Sequence, residues 1–166
     1  MNIVEAFNKR KNSFLKKENI YSFLLIFIIF FLDRISKIKI INDFKESTFF
    51  LNDFINIELI WNTGIGFGIL SSDTALVYNF ITFLIGLVIL ILFYFTILSE
   101  ILDKFIYTII IGGAIGNYYD RIIFKAVPDF IDLHYNNFHW FIFNLADIFI
   151  TIGIIAFLIK GFFVKD

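Results

Sequence analysis

GGAIGNYYDRIIFKAVPDFIDLHYNNFHWFIFNLAD, residues 112–147, runs between two apolar segments and carries Asp120, Asp129 and Asp147 at or near the ends of hydrophobic runs. A carboxylate in such a place is expensive and marks a functional position by default. Asp129 and Asp147 read as a pair of catalytic carboxylates at a membrane surface. The rest of the chain then serves to place and shield them.

Composition supports a membrane setting. The 166 residues are 59% hydrophobic, with a mean hydropathy of +0.83, whereas soluble domains are typically about 45–50% apolar. At roughly 20 residues per crossing, the length suits one domain of four spans. A net charge of -1 creates no field toward nucleic acid, so no nucleic-acid partner is expected. The chain has no cysteine, which excludes disulfides, thiolate nucleophiles and cysteine-based metal sites.

Outward from the central stretch, the chain divides by charge. Lys9, Arg10, Lys11, Lys16 and Lys17 precede an uncharged run from Ile20 to Leu32. With no small-residue cleavage site after it, the run reads as a retained first span, about 20–41. The basic cluster places the N-terminus, and with four spans the C-terminus too, on the cytoplasmic side. Residues 42–73 are interrupted by Asp43, Lys45, Glu46, Asp53 and Glu58, and their loose alternation predicts a small β-rich layer on the outer face. Further spans are expected at about 74–98, 105–120 and 143–163, with an inner turn at Glu100, Asp103 and Lys104 and an outer loop at 121–142. The expected architecture is an integral membrane, mainly α protein, a four-helix bundle with a β-rich outer layer, in one domain over 1–166. Its polar groups converge on the outer leaflet, and its inner ends hold little beyond solvated charge.

Two N-x-x-D spacings stand out. Asn117 and Asp120 share a helix face at i, i+3, and Arg121 lies four residues after Asn117, in reach of a carboxylate. Asn144 and Asp147 repeat the spacing where the last span begins. Each alone is a weak signal and reads more readily as a helix-end hydrogen bond. Together, with Asp129 between them, they suit peptide hydrolysis by two carboxylates sharing a proton, one acting as base and the other as acid. Asp132 is the competing acid and reads as a solvated loop charge. His134 and His139 lack H-E-x-x-H spacing and read as loop histidines rather than metal ligands. Ser36 and Lys37 are adjacent, about 100° apart on a helix, so they cannot face each other as a dyad.

The ordered blocks resemble the lipoprotein signal peptidases, signal peptidase II. Asp33 and Lys37 match D-x-x-x-K; Asn62, Gly64 and Phe67 match N-x-G-x-x-F; Gly116, Asn117, Asp120 and Arg121 match G-N-x-x-D-R. Val127, Asp129 and Phe130 match V-x-D-F, and Phe143, Asn144, Ala146 and Asp147 match F-N-x-A-D. The chain departs from the family's usual residues at Pro128, Ile148 and Ile65-Gly66. The resemblance implies a bacterial aspartyl endopeptidase of the cytoplasmic (inner) membrane, with Asp129 and Asp147 catalytic. Asp33, Lys37, Asn62, Gly64, Asn117, Asp120, Arg121 and Asn144 would shape the site and bind substrate. The substrate would be a prolipoprotein bearing a diacylglyceryl cysteine, cut just before that cysteine. The resemblance implies no metal or other cofactor. The partners expected are this substrate and membrane lipids, and four spans enclose the site without a second copy, so a monomer is expected.

Two other readings compete. A small transporter or proton relay would need polar residues through the depth of the bundle, and Asn79 and Thr82 are the only modest candidates. An assembly subunit would use its charges to pair with a partner and would tolerate Asp→Glu at position 147.

Overall fold

The computed structural model describes residues 16–44, 48–64 and 75–163. Lys9, Arg10 and Lys11 of the basic cluster, Lys45 and Glu46, and the run holding Ile65, Gly66 and Phe67 lie outside the described residues. Helix α1 is Lys17–Asp43, followed by strands β1 (Phe49–Asn52) and β2 (Ile55–Asn62). Helices α2 (Ala75–Leu98) and α3 (Ile101–Ile123) come next, then strands β3 (Val127–Tyr135) and β4 (Phe138–Phe143) and helix α4 (Leu145–Phe163).

The helices form a bundle in which α3 packs against α1, α2 and α4. At its centre Ile111 is fully buried with Ile26 and Ile89, and Leu92, Tyr107 and Tyr118 close around them. Close approach depends on small residues, as it does in membrane bundles. A Cβ on Gly113 would lie 2.5 Å from the Ala146 carbonyl oxygen, and one on Gly116 would strike the Asp33 carboxylate. The outward faces are apolar, with Phe27, Phe31, Phe80, Phe83, Leu90, Ile155 and Leu158 exposed. Helices α2 and α4 are long and apolar enough to cross a membrane on that count alone. Helices α1 and α3 carry internal charges, Asp33, Arg34 and Lys37 on one and Lys104, Asp120 and Arg121 on the other.

Two expectations are corrected. Asp103 and Lys104 do not form an inner turn. They lie in the first turn of α3, and only Ser99 and Glu100 separate it from α2. Nor is Lys104 a solvated charge. Its ammonium is buried and donates to Asn19 Oδ1 and to the Thr96 and Ile97 carbonyls at the end of α2. Those carbonyls have no intrahelical donor, so a buried cation is well placed there.

The second correction concerns residues 121–142. They are not a loop: β3 and β4 form a hairpin that completes an antiparallel sheet in the order β1-β2-β3-β4. Its turn is Asn136-Asn137, with Asn136 at φ 51°, a conformation asparagine tolerates. β3 is buried on both faces over most of its length. It therefore lacks the in-out alternation that identifies a strand in sequence, and register shifts between Ile57 and Ile60 and between Leu133 and His134 blur it further. Pro128, fully buried, pairs with Trp61 of β2. β4 pairs with β3 only from Ile131 onward, so the missing N–H of Pro128 leaves no β4 acceptor unpaired.

Candidate active site

Asp129 sits on β3, opposite Ile60 of β2, and is almost fully buried. It is a strand residue rather than the loop residue expected. The Asn62 side-chain amide donates to its Oδ2 at 2.8 Å, and the Asn144 amide donates to its Oδ1 at 2.5 Å. Burial pushes its carboxyl up to about 7, and the nearby Asp147 charge pushes the same way against the two amide bonds.

Asp147 lies in the first turn of α4, which Asn144 caps. The Asp147 N–H donates to Asn144 Oδ1 at 3.1 Å, and the Asn144 N–H donates to Asp147 Oδ2 at 3.1 Å. This reciprocal pair is a capping box, and it favours a carboxylate at the helix start. The local helix-end role anticipated for N-x-x-D is therefore real. It coexists with a second role, because the same Asn144 side chain also holds Asp129. One residue thus ties the strand carboxylate to the helix carboxylate.

The other expected residues form the surround. Asn117 Nδ2 donates to Asp147 Oδ1 at 2.7 Å, and its Oδ1 accepts from Lys37 Nζ at 2.8 Å. Lys37 is fully buried and also contacts Asp33 Oδ2 at 2.9 Å and Asp120 Oδ2 at 2.7 Å. The contacts to Asn117 and Asp120 are hydrogen bonds, and the one to Asp33 is an ion pair. Asp33 Oδ1 in turn accepts the Ala146 N–H at 3.1 Å, which joins α1 to the start of α4. Arg121, which the spacing put in reach of a carboxylate, hydrogen-bonds to backbone instead. It donates to the Asn117 carbonyl and to the Gly64 carbonyl, both at 3.1 Å. Gly64 thereby anchors Arg121, and its own N–H donates to Asn62 Oδ1. A largely apolar cavity of about 260 Å³, lined by Phe143, Asp147, Ile148, Thr151 and Ile152, opens beside Asp147.

Sequence reasoning passed over Arg34, whose guanidinium lies 2.7 Å from Asp120 Oδ1 and over the Tyr119 ring at 5.0 Å. The available signal was a cation inside an otherwise apolar helix. It also misjudged Asp132, which is fully buried and 2.7 Å from His139 Nδ1, with His134 stacked on His139. That group is separate from the site, and among the described residues no group of His, Asp and Glu has metal-binding geometry.

Residues 25–163 match the family model described as Signal peptidase (SPase) II. The "Lipoprotein signal peptidase" of Pelagibacter ubique (strain HTCC1062) is 43% identical over 153 residues, 90% of this chain and 92% of the relative. That of Anaplasma marginale (strain Florida) is 37% identical over 146 residues, 86% and 84% of the two chains. A solved structure described as "Bacterial membrane enzyme structure by the in meso method at 2.3 A resolution" superposes with a TM-score of 0.75 at 29% identity, covering 86% of this chain and 87% of its own. Another, described in the same words at 1.9 Å, gives a TM-score of 0.70 at 27% identity over 87% and 94%.

Proposed function

This chain belongs to the signal peptidase II family of aspartic peptidases, and from that membership we propose that it removes signal peptides from prolipoproteins with Asp129 and Asp147 as its catalytic pair. The observation that carries the assignment is the single asparagine, Asn144, bonded to both carboxylates.

The pair divides its labour by environment. Asp129, with its carboxyl near 7, holds the shared proton. Asp147, at a helix N-terminus and accepting two N–H bonds, is the ionised partner. Charge balance supports one proton on the pair. Arg34, Lys37 and Arg121 stand among Asp33, Asp120, Asp129 and Asp147, and three cations balance four carboxylates only when one is protonated. In the reaction, Asp147 takes a proton from water as the water oxygen attacks the scissile carbonyl carbon. Asp129 gives its proton to the carbonyl oxygen. The tetrahedral diol then collapses: the C–N bond breaks, the proton held by Asp147 passes to the leaving nitrogen, and a diol hydroxyl returns its proton to Asp129. The surrounding amides, already in place, limit the reorganisation these steps demand.

The finer features belong to the same proposal. Four helices, α1 to α4, cross the inner membrane with both termini cytoplasmic, and the sheet and the aspartates lie at the outer face. One domain spans 1–166 and acts as a monomer among membrane lipids. Asp33, Lys37, Asn62, Gly64, Asn117, Asp120, Arg121 and Asn144 support the site. The cut falls before a diacylglyceryl-modified cysteine, and the apolar cavity beside Asp147 suits a lipid-bearing substrate. A transporter or proton relay finds no support among the relatives. The buried polar groups at the two ends of the bundle are also separated by the Ile26, Ile89 and Ile111 layer.

The test is cleavage of a purified prolipoprotein, with and without its diacylglyceryl group, by the detergent-solubilised protein in excess chelator. Cleavage of the lipidated form alone, unaffected by chelator, is expected. Equal cleavage of both forms, or loss of activity with chelator, contradicts the proposal.

A further inference from the structure

We propose that Arg34 is a positioning residue for this reaction, acting through Asp120, Lys37 and Asn117 on the carboxylate of Asp147; this rests on the dyad reading above. The chain of contacts is continuous. Arg34 lies 2.7 Å from Asp120 Oδ1; Asp120 Oδ2 is 2.7 Å from Lys37 Nζ. Lys37 Nζ donates to Asn117 Oδ1 at 2.8 Å, and Asn117 Nδ2 donates to Asp147 Oδ1 at 2.7 Å.

The orientation of Asn117 is the key point. A side-chain amide can present either its oxygen or its NH₂ to a neighbour. Because Lys37 is a pure donor, it claims the oxygen, and the NH₂ must then face Asp147. Lys37, however, is shared between two fully buried carboxylates, Asp33 and Asp120. With Lys37 as the only cation, that trio would carry a net negative charge next to the dyad. The ammonium would also be drawn toward the carboxylates and away from Asn117. Arg34 supplies the second cation. Its guanidinium is itself nearly buried and is held in place by the Tyr119 ring. The groups that set the potential here are Asp33, Arg34 and Lys37 on α1, Tyr78 on α2, Asp120 and Arg121 on α3, Asp129 on β3 and Asp147 on α4.

Loss of the Arg34 charge makes both dyad carboxylates harder to ionise. Both limbs of the kcat/KM pH profile therefore move to higher pH. The experiment compares these profiles for the wild type, Arg34→Gln and Arg34→Lys on lipidated prolipoprotein, with thermal unfolding in the same detergent as a check on folding. For Arg34→Gln the profile should move up by roughly half to one pH unit. Its kcat should fall by roughly three- to tenfold with KM little changed, as when a group that acts only in the transition state is misplaced. Arg34→Lys, which keeps the charge, should restore the wild-type profile. The double variant Arg34→Gln/Asp120→Asn removes the ion pair as a unit and should return the profile toward the wild type. It decides the question if Arg34→Gln alone does not fold. A folded Arg34→Gln with an unshifted profile overturns the proposal, as does Arg34→Lys shifted as far as Arg34→Gln, or a double variant displaced as far as one unit. If Asp129→Asn and Asp147→Asn cleave normally, the dyad reading fails and this proposal with it. If they are inactive while Arg34→Gln keeps the wild-type profile, only the assignment of Arg34 fails.

Discussion

Asn144 serves three partners with one side chain and one backbone N–H: Asp129 Oδ1, the Asp147 N–H and Asp147 Oδ2. Asn144→Ala removes a donor from Asp129, the proposed acid, and the cap from α4. Cleavage should fall by roughly 10²-fold, because a loosened constellation loses orientation and preorganised donors together. Stability should fall by about 1 kcal/mol, the usual worth of an N-cap. Enzyme assays and detergent unfolding check the two effects separately. On the proposed assignment Asp129 sets the pH response. Burial, reinforced by the charge on Asp147, raises its carboxyl to about 7, so the protonated form persists well above the ordinary aspartate range. A step that needs that proton must fail as pH rises through about 7, and kcat/KM measured from pH 5 to 9 should decline on that side. A rate that keeps rising above pH 8 would mean that Asp129 is not the acid.

The site rests on contacts between elements, and α3 makes most of them. Gly113 lets α3 lie against the first turn of α4, where a Cβ would press on the Ala146 carbonyl oxygen. Gly113→Ala must therefore push Asp147 away from Asn117 and Asp129. The expected cost is about 1–3 kcal/mol, as for overpacking generally, with cleavage lost out of proportion to stability. Comparing residual activity with the unfolding midpoint checks this. The same contacts explain what was legible beforehand. Uncharged runs such as 75–98 announce helices directly. Asn117, Asp120, Asn144 and Asp147 sit at i, i+3, a spacing that needs only helix geometry. β3 was hidden because a strand buried on both faces shows no alternation, and its Asp and His residues resemble those of a solvated loop. Asp132 was misjudged for that reason: its partner His139 is seven residues away and meets it only through the hairpin. Charge alone makes a carboxylate a possible partner for Arg121, whereas its hydrogen-bond acceptors are two backbone carbonyls, which no sequence pattern encodes.

At the scale of the whole molecule, polar groups gather at both ends of the bundle, separated by a layer of isoleucine. One end holds the sheet and the two aspartates; the other holds Lys104 with Asn19 and Thr96. The proposed topology puts the first end outside and the second inside. The chain contains no cysteine, so single cysteines report without background. Asn137→Cys, in the hairpin turn, should react with a membrane-impermeant maleimide in intact cells stripped of outer layers, and Glu100→Cys only after lysis. The reverse pattern would invert the orientation. The proposed hydrolysis rests on one pair of carboxylates. Its most direct measurement is single-turnover cleavage of diacylglyceryl-modified prolipoprotein by the wild type, Asp129→Asn and Asp147→Asn, each confirmed folded by its unfolding midpoint. The account predicts that the wild type cuts and that each variant loses at least about 10³-fold, as expected when an acid or base of an interdependent pair is removed. Cleavage at near wild-type rate by either folded variant would contradict it.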